Sequence, residues 1–132
     1  MSDQRNEMLR NLGFSDKAIN ILNSNLNVGK IENPTVTTSH EGVCGDIMQL
    51  YLQIKDNKII KASYDYTGCA GLQTCGSAIT EMIKGMNIDE AVKIDVKDII
   101  DYVEGYPQKK IDCAELARDT VRKAINIYNS KN

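Results

Sequence analysis

The fold is decided by the stretch IMQLYLQIKDNKIIKASYDY, residues 47–66. Apolar side chains alternate with polar ones along its two halves; they are Met48, Leu50, Leu52 and Ile54 in the first half and Ile60, Ala62, Tyr64 and Tyr66 in the second. An alternation with a period of two is typical of a strand with one buried face, and Asp56-Asn57 supplies a tight turn between the halves. The sequence therefore predicts a β-hairpin that is covered on one face.

A further strand and several helices flank this hairpin in the sequence. Residues 34–40 (PTVTTSH) are β-branched and begin with a proline, which predicts an edge strand. Downstream the apolar period changes to 3.6, and the helices that it predicts span residues 73–84, 88–92, 96–104 and 112–128. Asp112 is expected to cap the last helix, in a capping box with Glu115. Residues 1–26 are predicted to be a helical lead-in, with Ser15 as the N-cap of a helix.

The order of the elements, with strands first and helices later, predicts an α+β fold. In this fold a small antiparallel sheet is covered on one face by helices, and a long helix ends the chain. No internal repeat, low-complexity tract or linker interrupts the 132 residues, so we expect a single domain over residues 1–132. With one Phe, six Tyr and no Trp, the core must be largely aliphatic.

The charge and hydropathy of the chain exclude several classes of protein. A net charge of −2 argues against a partner that is nucleic acid or a membrane surface, since such proteins show a basic patch. No apolar run is long enough to span a bilayer, and the first residues are polar, unlike a signal peptide. We therefore expect a cytoplasmic protein.

The four cysteines, at positions 44, 69, 75 and 113, are the main carriers of chemistry. In a reducing compartment they favour metal binding, sulfur chemistry or burial over disulfides. Cys44 precedes the first strand of the hairpin and Cys69 follows the second, so both are expected at the same end of the sheet. Cys113 joins them if the last helix begins at that end.

Three converging thiols suit a soft metal or sulfur chemistry. With the carboxylate of Asp46 they would supply four ligands to zinc or to a small iron–sulfur cluster. A helix N-terminus, where Cys113 is placed, lowers the pKa of a thiol. Gly45 and Gly68, beside the other two cysteines, would let the backbone approach a bulky bound group and offer N–H groups to it.

The same residues also have structural explanations. Free cysteine is among the most buried residue types, and Cys75, inside a predicted helix, is expected in the core. Asp46 can begin a strand, Asp112 can cap a helix, and His40 is expected as a surface residue of a strand.

Three segments resemble the IscU/NifU-type iron–sulfur cluster scaffold family. Residues 44–50 (CGDIMQL) look like the CGD motif of that family. Gly68-Cys69 is similar to its second-cysteine segment, and residues 107–117 (PQKKIDCAELA) look like its third. The resemblance runs from about residue 27 to residue 125, and its three motifs occur in the family order.

The resemblance implies a three-stranded antiparallel sheet with helices on one face, and a scaffold or carrier rather than an enzyme. Such a scaffold accepts sulfur from a cysteine desulfurase, holds a labile [2Fe–2S] cluster and passes it to acceptor proteins. The implied ligands are Cys44, Asp46, Cys69 and Cys113, with Cys113 as the sulfur acceptor and Asp46 keeping the cluster labile. A homodimer that shares a cluster is compatible with this role, because cysteine-bound clusters can bridge chains.

The chain departs from the family pattern before its third cysteine. Asp112 stands where the bacterial and mitochondrial branch has histidine, so Asp112 and the additional thiol of Cys75 are both candidate ligands. On a continuous helix Cys75 would lie about 240° around from Cys69, on the wrong face, unless the helix begins only near Gln73. The segment read by a dedicated Hsp70-type chaperone keeps only Pro107 and Lys110, which argues against that partnership.

Two alternatives to a cluster scaffold remain open from the sequence. One is a zinc-binding, SufU-like sulfur acceptor or sulfurtransferase, and the other is a metal-free desulfurase partner that keeps only the fold. The insertion that the SufU-like branch carries between its second and third cysteines is missing here, which argues against the first alternative.

Overall fold

The computed structural model describes residues 3–131, which form a three-stranded antiparallel sheet and the helices around it. The strands, in the sheet order β1-β2-β3, are β1 (Val36–Glu41), β2 (Ile47–Lys55) and β3 (Lys58–Thr67). The helices are α1 (Asp3–Asn11), α2 (Asp16–Ser24), α3 (Ala70–Ile83), α4 (Ile88–Ala91), α5 (Val96–Tyr102) and α6 (Ile111–Ser130). The strand predicted over residues 34–40 is confirmed as β1, at an edge of the sheet.

The hairpin of β2 and β3 forms as the alternation of side chains predicts. Met48, Leu50 and Leu52 are buried on one face of β2. Asp56 and Asn57 both have positive φ, 53° and 63°, as the two central residues of a tight hairpin turn require.

The predicted burial of Ile60 is wrong. Ile60 is 46% exposed, and its neighbour Ile59 is buried instead. Leu52 pairs with Ala62 but Ile54 pairs with Ile59, so one extra residue of β3 is accommodated between these pairs. This β-bulge reverses the alternation near the turn, because a shift of one residue exchanges the two faces of a strand.

Helices α3 and α6 pack against the sheet, α2 packs against α3, and α5 packs against α6. Gly76 of α3 lies directly against the ring of Tyr64 on β3, since a Cβ atom there would be 2.5 Å from the ring. The Tyr64 hydroxyl donates a 2.7 Å hydrogen bond to the carbonyl of Gln73. This contact fixes α3 on β3, with Cys69 immediately before the helix.

Two predicted helix starts are wrong by a few residues. Helix α3 begins at Ala70 rather than Gln73, and Cys69 is its N-cap residue. Helix α6 has Lys110 as its N-cap residue, so Asp112 lies in the first turn and does not cap the helix. A carboxylate is favourable both at the N-cap and in the first turn of a helix, because it interacts with the helix dipole. The sequence pattern therefore does not distinguish these two positions for Asp112.

The N-terminal lead-in packs against the connection between α5 and α6. Ser15 caps α2 as predicted, accepting a 3.0 Å hydrogen bond from the Ala18 amide, and its hydroxyl also donates to the carbonyl of Val103. The rings of Phe14 and Tyr106 meet edge to face at 5.7 Å. Between residues 3 and 131, none of the helices combines the length and the apolar character needed to cross a membrane.

Candidate metal centre

One end of the sheet gathers four side chains from three parts of the chain. Cys44 and Asp46 lie in the turn between β1 and β2, Cys69 precedes α3, and Cys113 is the third residue of α6. The sulfurs of Cys69 and Cys113 are 3.7 Å apart. Asp46 Oδ2 lies 3.7 Å from the first sulfur and 3.9 Å from the second. The ligand atoms of Cys44, Asp46 and Cys113 also lie within 4.8 Å of one another.

Two glycines shape this group of four side chains. Gly45 has a φ of 88°, a conformation that favours glycine, and it helps to close the turn that carries Cys44. A Cβ atom on Gly68 would lie 2.6 Å from Asp46 Cγ and Oδ2. We expected Gly68 to make room for a bound group; in the structure the carboxylate of Asp46 occupies that room.

The distances between the donor atoms fit a tetrahedral metal site. Two metal–sulfur bonds of about 2.3 Å at a tetrahedral angle place their sulfurs about 3.8 Å apart. The separation of 3.7 Å between Cys69 Sγ and Cys113 Sγ is close to this value. Three thiolates and one carboxylate suit zinc or iron, with the carboxylate as the harder ligand.

Positive charge surrounds the thiols. The N-termini of α3 and α6 lie at Cys69 and Cys113, and each contributes a positive partial charge. Lys110 Nζ donates to Cys69 Sγ at 3.6 Å. These charges favour thiolates and an anionic bound group. Lys110 was not predicted as a site residue, because its contact is with Cys69, which is distant in the sequence.

The thiols differ in their access to solvent. Cys44 is exposed, Cys69 is half-buried and Cys113 is buried. Burial, together with the charge and hydrogen bonding of Cys69, raises the pKa of Cys113. The expected lowering of the pKa of Cys113 by the helix N-terminus is therefore wrong, because desolvation of the thiolate is the largest effect and raises this pKa.

The two additional candidate ligands lie in different surroundings. Cys75 is fully buried among apolar side chains, and burial raises its pKa to about 12. Because α3 is continuous from Ala70, Cys75 lies about 240° around the helix from Cys69, which favours its interpretation as a core residue. Asp112 lines a small cleft beside the turn, together with His40 and other residues.

A tyrosine that the sequence analysis did not consider also approaches the thiols. The hydroxyl of Tyr106 is buried, and the thiols of Cys75 and Cys113 face it. Tyr106 is the residue before Pro107, at the start of the segment that leads to the third cysteine of the site.

Comparison with known proteins relates the chain to iron–sulfur scaffolds. Residues 13–132 match the family described as the NifU-like N terminal domain. The iron–sulfur cluster assembly scaffold protein IscU 1 of Archaeoglobus fulgidus is 40% identical over 120 residues, which are 90% of this chain and 78% of the relative. IscU of Escherichia coli K12 is 35% identical over 125 residues, 91% of this chain and 97% of the relative.

Solved structures confirm the predicted fold class. The N-terminal NifU-like protein of Brucella abortus superposes with a TM-score of 0.74 at 16% identity, covering 89% of this chain and 95% of that one. A protein of Fervidobacterium islandicum AW-1, described as an iron–sulfur cluster assembly scaffold for the SUF system, gives a TM-score of 0.70 at 23% identity, covering 85% and 96%.

Proposed function

Since the chain belongs to the family of NifU-like N-terminal domains and IscU-type iron–sulfur cluster assembly scaffolds, we propose that it assembles an iron–sulfur cluster and transfers it to acceptor proteins. The observation that carries this proposal is the group formed by Cys44, Asp46, Cys69 and Cys113. These four side chains are the proposed ligands. The cluster is cargo, so the protein acts as a carrier rather than an enzyme.

The proposed cargo is a [2Fe–2S] cluster. Two irons bridged by two sulfides need four protein ligands, the number that the three thiolates and Asp46 supply. A carboxylate is a harder ligand than a thiolate and binds iron less firmly in such a set. Asp46 therefore keeps the bound cluster exchangeable.

The proposed sulfur source is a cysteine desulfurase, with Cys113 as the acceptor. The thiolate of Cys113 attacks the terminal sulfur of the desulfurase persulfide; a new S–S bond forms, the old one breaks, and the desulfurase cysteine leaves as a thiolate. Asp46 Oδ2, 3.9 Å from Cys113 Sγ, is placed to accept the thiol proton. Because Cys113 is buried, this transfer requires a local movement that exposes its sulfur.

A second candidate function is zinc-dependent sulfur acceptance. The compactness of the group supports it. The sulfurs of Cys69 and Cys113 are 3.7 Å apart, close to the separation across a single tetrahedral ion, and the ligand atoms of Cys44, Asp46 and Cys113 lie within 4.8 Å of one another. In that case zinc is held by the same four side chains, and one cysteine relays sulfur.

Anaerobic reconstitution with iron and sulfide separates these functions. We expect visible sulfur-to-iron charge-transfer bands and about two irons and two sulfides per cluster. Tight zinc without a cluster would favour the zinc-dependent function. Binding of neither metal would contradict both and favour a metal-free desulfurase partner.

Variants of single cysteines provide the control for this experiment. Cys113→Ser is expected to lose the cluster and the persulfide label that the desulfurase transfers. Cys75→Ala, which removes a thiol from the core, is expected to retain both. Undiminished labelling of Cys113→Ser would contradict the assignment of the sulfur acceptor.

A further inference from the structure

The hydroxyl of Tyr106 is a buried donor without a partner. Tyr106 is 8% exposed, and its Oη makes no hydrogen bond within residues 3–131. The thiols of Cys75 and Cys113 are both within interaction range of this oxygen, but neither meets the geometry of a hydrogen bond to it. An O–H group is thus held beside the candidate metal centre without an acceptor.

The position of this hydroxyl depends on a glycine and on the N-terminal lead-in. A Cβ atom on Gly71 would lie 2.6 Å from Tyr106 Oη, so only glycine leaves room for the oxygen there. The edge-to-face contact with Phe14 holds the ring from the other side. A Cβ atom on Gly13 would lie 3.5 Å from Pro107 Cα, so the lead-in also packs closely against the next residue. The ring is fixed by packing that does not involve the thiols.

A buried hydroxyl without a hydrogen-bond partner lowers the stability of the fold. The acceptor strengths of the two neighbouring sulfurs indicate which of them this hydroxyl suits. Leaving such a group without a partner is unfavourable, because the loss of its hydrogen bonds to water is not compensated. A neutral thiol is a weak acceptor, whereas an anionic sulfur forms a strong, charge-assisted hydrogen bond. Cys75 lies in the apolar core, which favours the neutral thiol. Cys113 is the facing thiol that becomes anionic when it binds a metal.

We propose that Tyr106 is a positioning residue that donates a hydrogen bond to the sulfur of Cys113 when that sulfur is bound to a metal. This inference rests on the proposed function, since it requires Cys113 to be a ligand. A hydrogen bond withdraws electron density from the sulfur, which raises both the energy of the sulfur-to-metal charge-transfer transition and the reduction potential of a cluster.

The test compares wild type with Tyr106→Phe, which keeps the ring and its contact with Phe14 and removes only the hydroxyl. Tyr66→Phe is the matched control, because it removes a half-buried hydroxyl that donates to Gln73 Oε1 at 2.7 Å. The probes are cobalt(II) alone, added to the metal-free protein, and the anaerobically reconstituted cluster. The readouts are the charge-transfer absorption maxima and the reduction potential.

We expect Tyr106→Phe to shift the charge-transfer bands to longer wavelength and to lower the reduction potential, while Tyr66→Phe matches wild type. Bands and potential identical to wild type in Tyr106→Phe overturn the inference and leave the scaffold function standing. Failure of wild type itself to bind cobalt or a cluster overturns both.

Two further variants make the assignment specific. If the hydroxyl donates its hydrogen bond to Cys75 instead, Tyr106→Phe causes no shift of the charge-transfer bands in a Cys75→Ala background. This result also refutes the inference. If Tyr106→Phe does not fold, Phe14→Leu loosens the ring while keeping the hydroxyl. A shift of the charge-transfer bands of Phe14→Leu to longer wavelength, smaller than the one expected for Tyr106→Phe, then supports the proposal. An unchanged spectrum contradicts it.

Discussion

Substitution of Gly68 by alanine moves a proposed ligand without altering any charge. The new Cβ would lie 2.6 Å from Asp46 Cγ and Oδ2, below the 3.4 Å of ordinary contact. The carboxylate must therefore move by about 0.8 Å, the difference between these two distances. We expect this movement to disturb the contacts of Asp46 Oδ2 with Cys69 Sγ and Cys113 Sγ, which are 3.7 Å and 3.9 Å long.

The effect on folding is expected to be small. Two of the obstructing atoms belong to the Asp46 carboxylate, which can rotate away at a cost of about 0.5–1.5 kcal/mol. The third, Asp46 Cβ, would lie 3.0 Å from the new methyl group and must shift by a few tenths of an ångström with its backbone. Replacing glycine by alanine also restricts the unfolded chain, which stabilises the fold by about 0.4–1 kcal/mol where the backbone conformation is allowed. We therefore expect the free energy of unfolding of Gly68→Ala to lie within about 1 kcal/mol of wild type.

The effect on the cluster is expected to be larger and to match that of Asp46→Ala. If Asp46 keeps the bound cluster exchangeable, as proposed, displacing its carboxylate slows the loss of the cluster, and a change of about 1.4 kcal/mol in the barrier is a tenfold change in rate. The measurement is the half-life of the visible bands after a chelator is added under anaerobic conditions. We expect Gly68→Ala to lengthen it by up to about tenfold.

The double variant decides whether Gly68 acts through Asp46. In an Asp46→Ala background, Gly68→Ala should add nothing, because the side chain that it displaces is absent. The reasoning is refuted if Gly68→Ala lengthens the half-life equally in both backgrounds. It is also refuted if Gly68→Ala has no effect while Asp46→Ala alone lengthens it.

Three further predictions follow from burial and packing. Gly76→Ala should lower the free energy of unfolding by about 1–3 kcal/mol in urea titrations, because its Cβ would lie 2.5 Å from the Tyr64 ring and cannot be relieved by rotating one short side chain. In the metal-free native protein, iodoacetamide should modify Cys44 first and Cys113 much more slowly, as mass spectrometry of peptides would show; equal rates would contradict the burial of Cys113. Cys75→Ala should lower stability by roughly 1 kcal/mol and leave the iron content unchanged, and a loss of iron would make Cys75 a ligand.

The hairpin was predictable because two independent signals agree. The alternation along residues 47–54 sets the buried face, and Asp56-Asn57 accepts the positive φ values of the turn. The bulge was not predictable, since adjacent isoleucines at positions 59 and 60 are equally apolar and either satisfies a buried face. Only the pairing of Ile54 with Ile59 shows which one faces the core.

The grouping of the site residues was partly predictable from topology. A hairpin places the beginning of one strand beside the end of the other, which brings Cys44 and Cys69 together. The place of Cys113 depends on how α6 docks on the sheet, and the burial of its thiol depends on that same packing. Sequence spacing contains neither, so a thiol with a lowered pKa was expected where the structure has a buried thiol with a raised pKa.

Of the four side chains that form the candidate metal centre, Cys113 belongs to the core and Cys69 packs against it, but most of the core lies elsewhere. Cys69 is the N-cap residue of α3, but its thiol makes no capping hydrogen bond, and Cys44 is exposed in a turn. The core is formed by apolar side chains of the sheet and of α2, α3 and α6. In small zinc domains the energy of metal binding is the energy of folding, so loss of the metal unfolds them. A carrier that releases its cluster at every transfer requires the opposite arrangement, in which a complete core holds the ligands whether or not the cluster is bound.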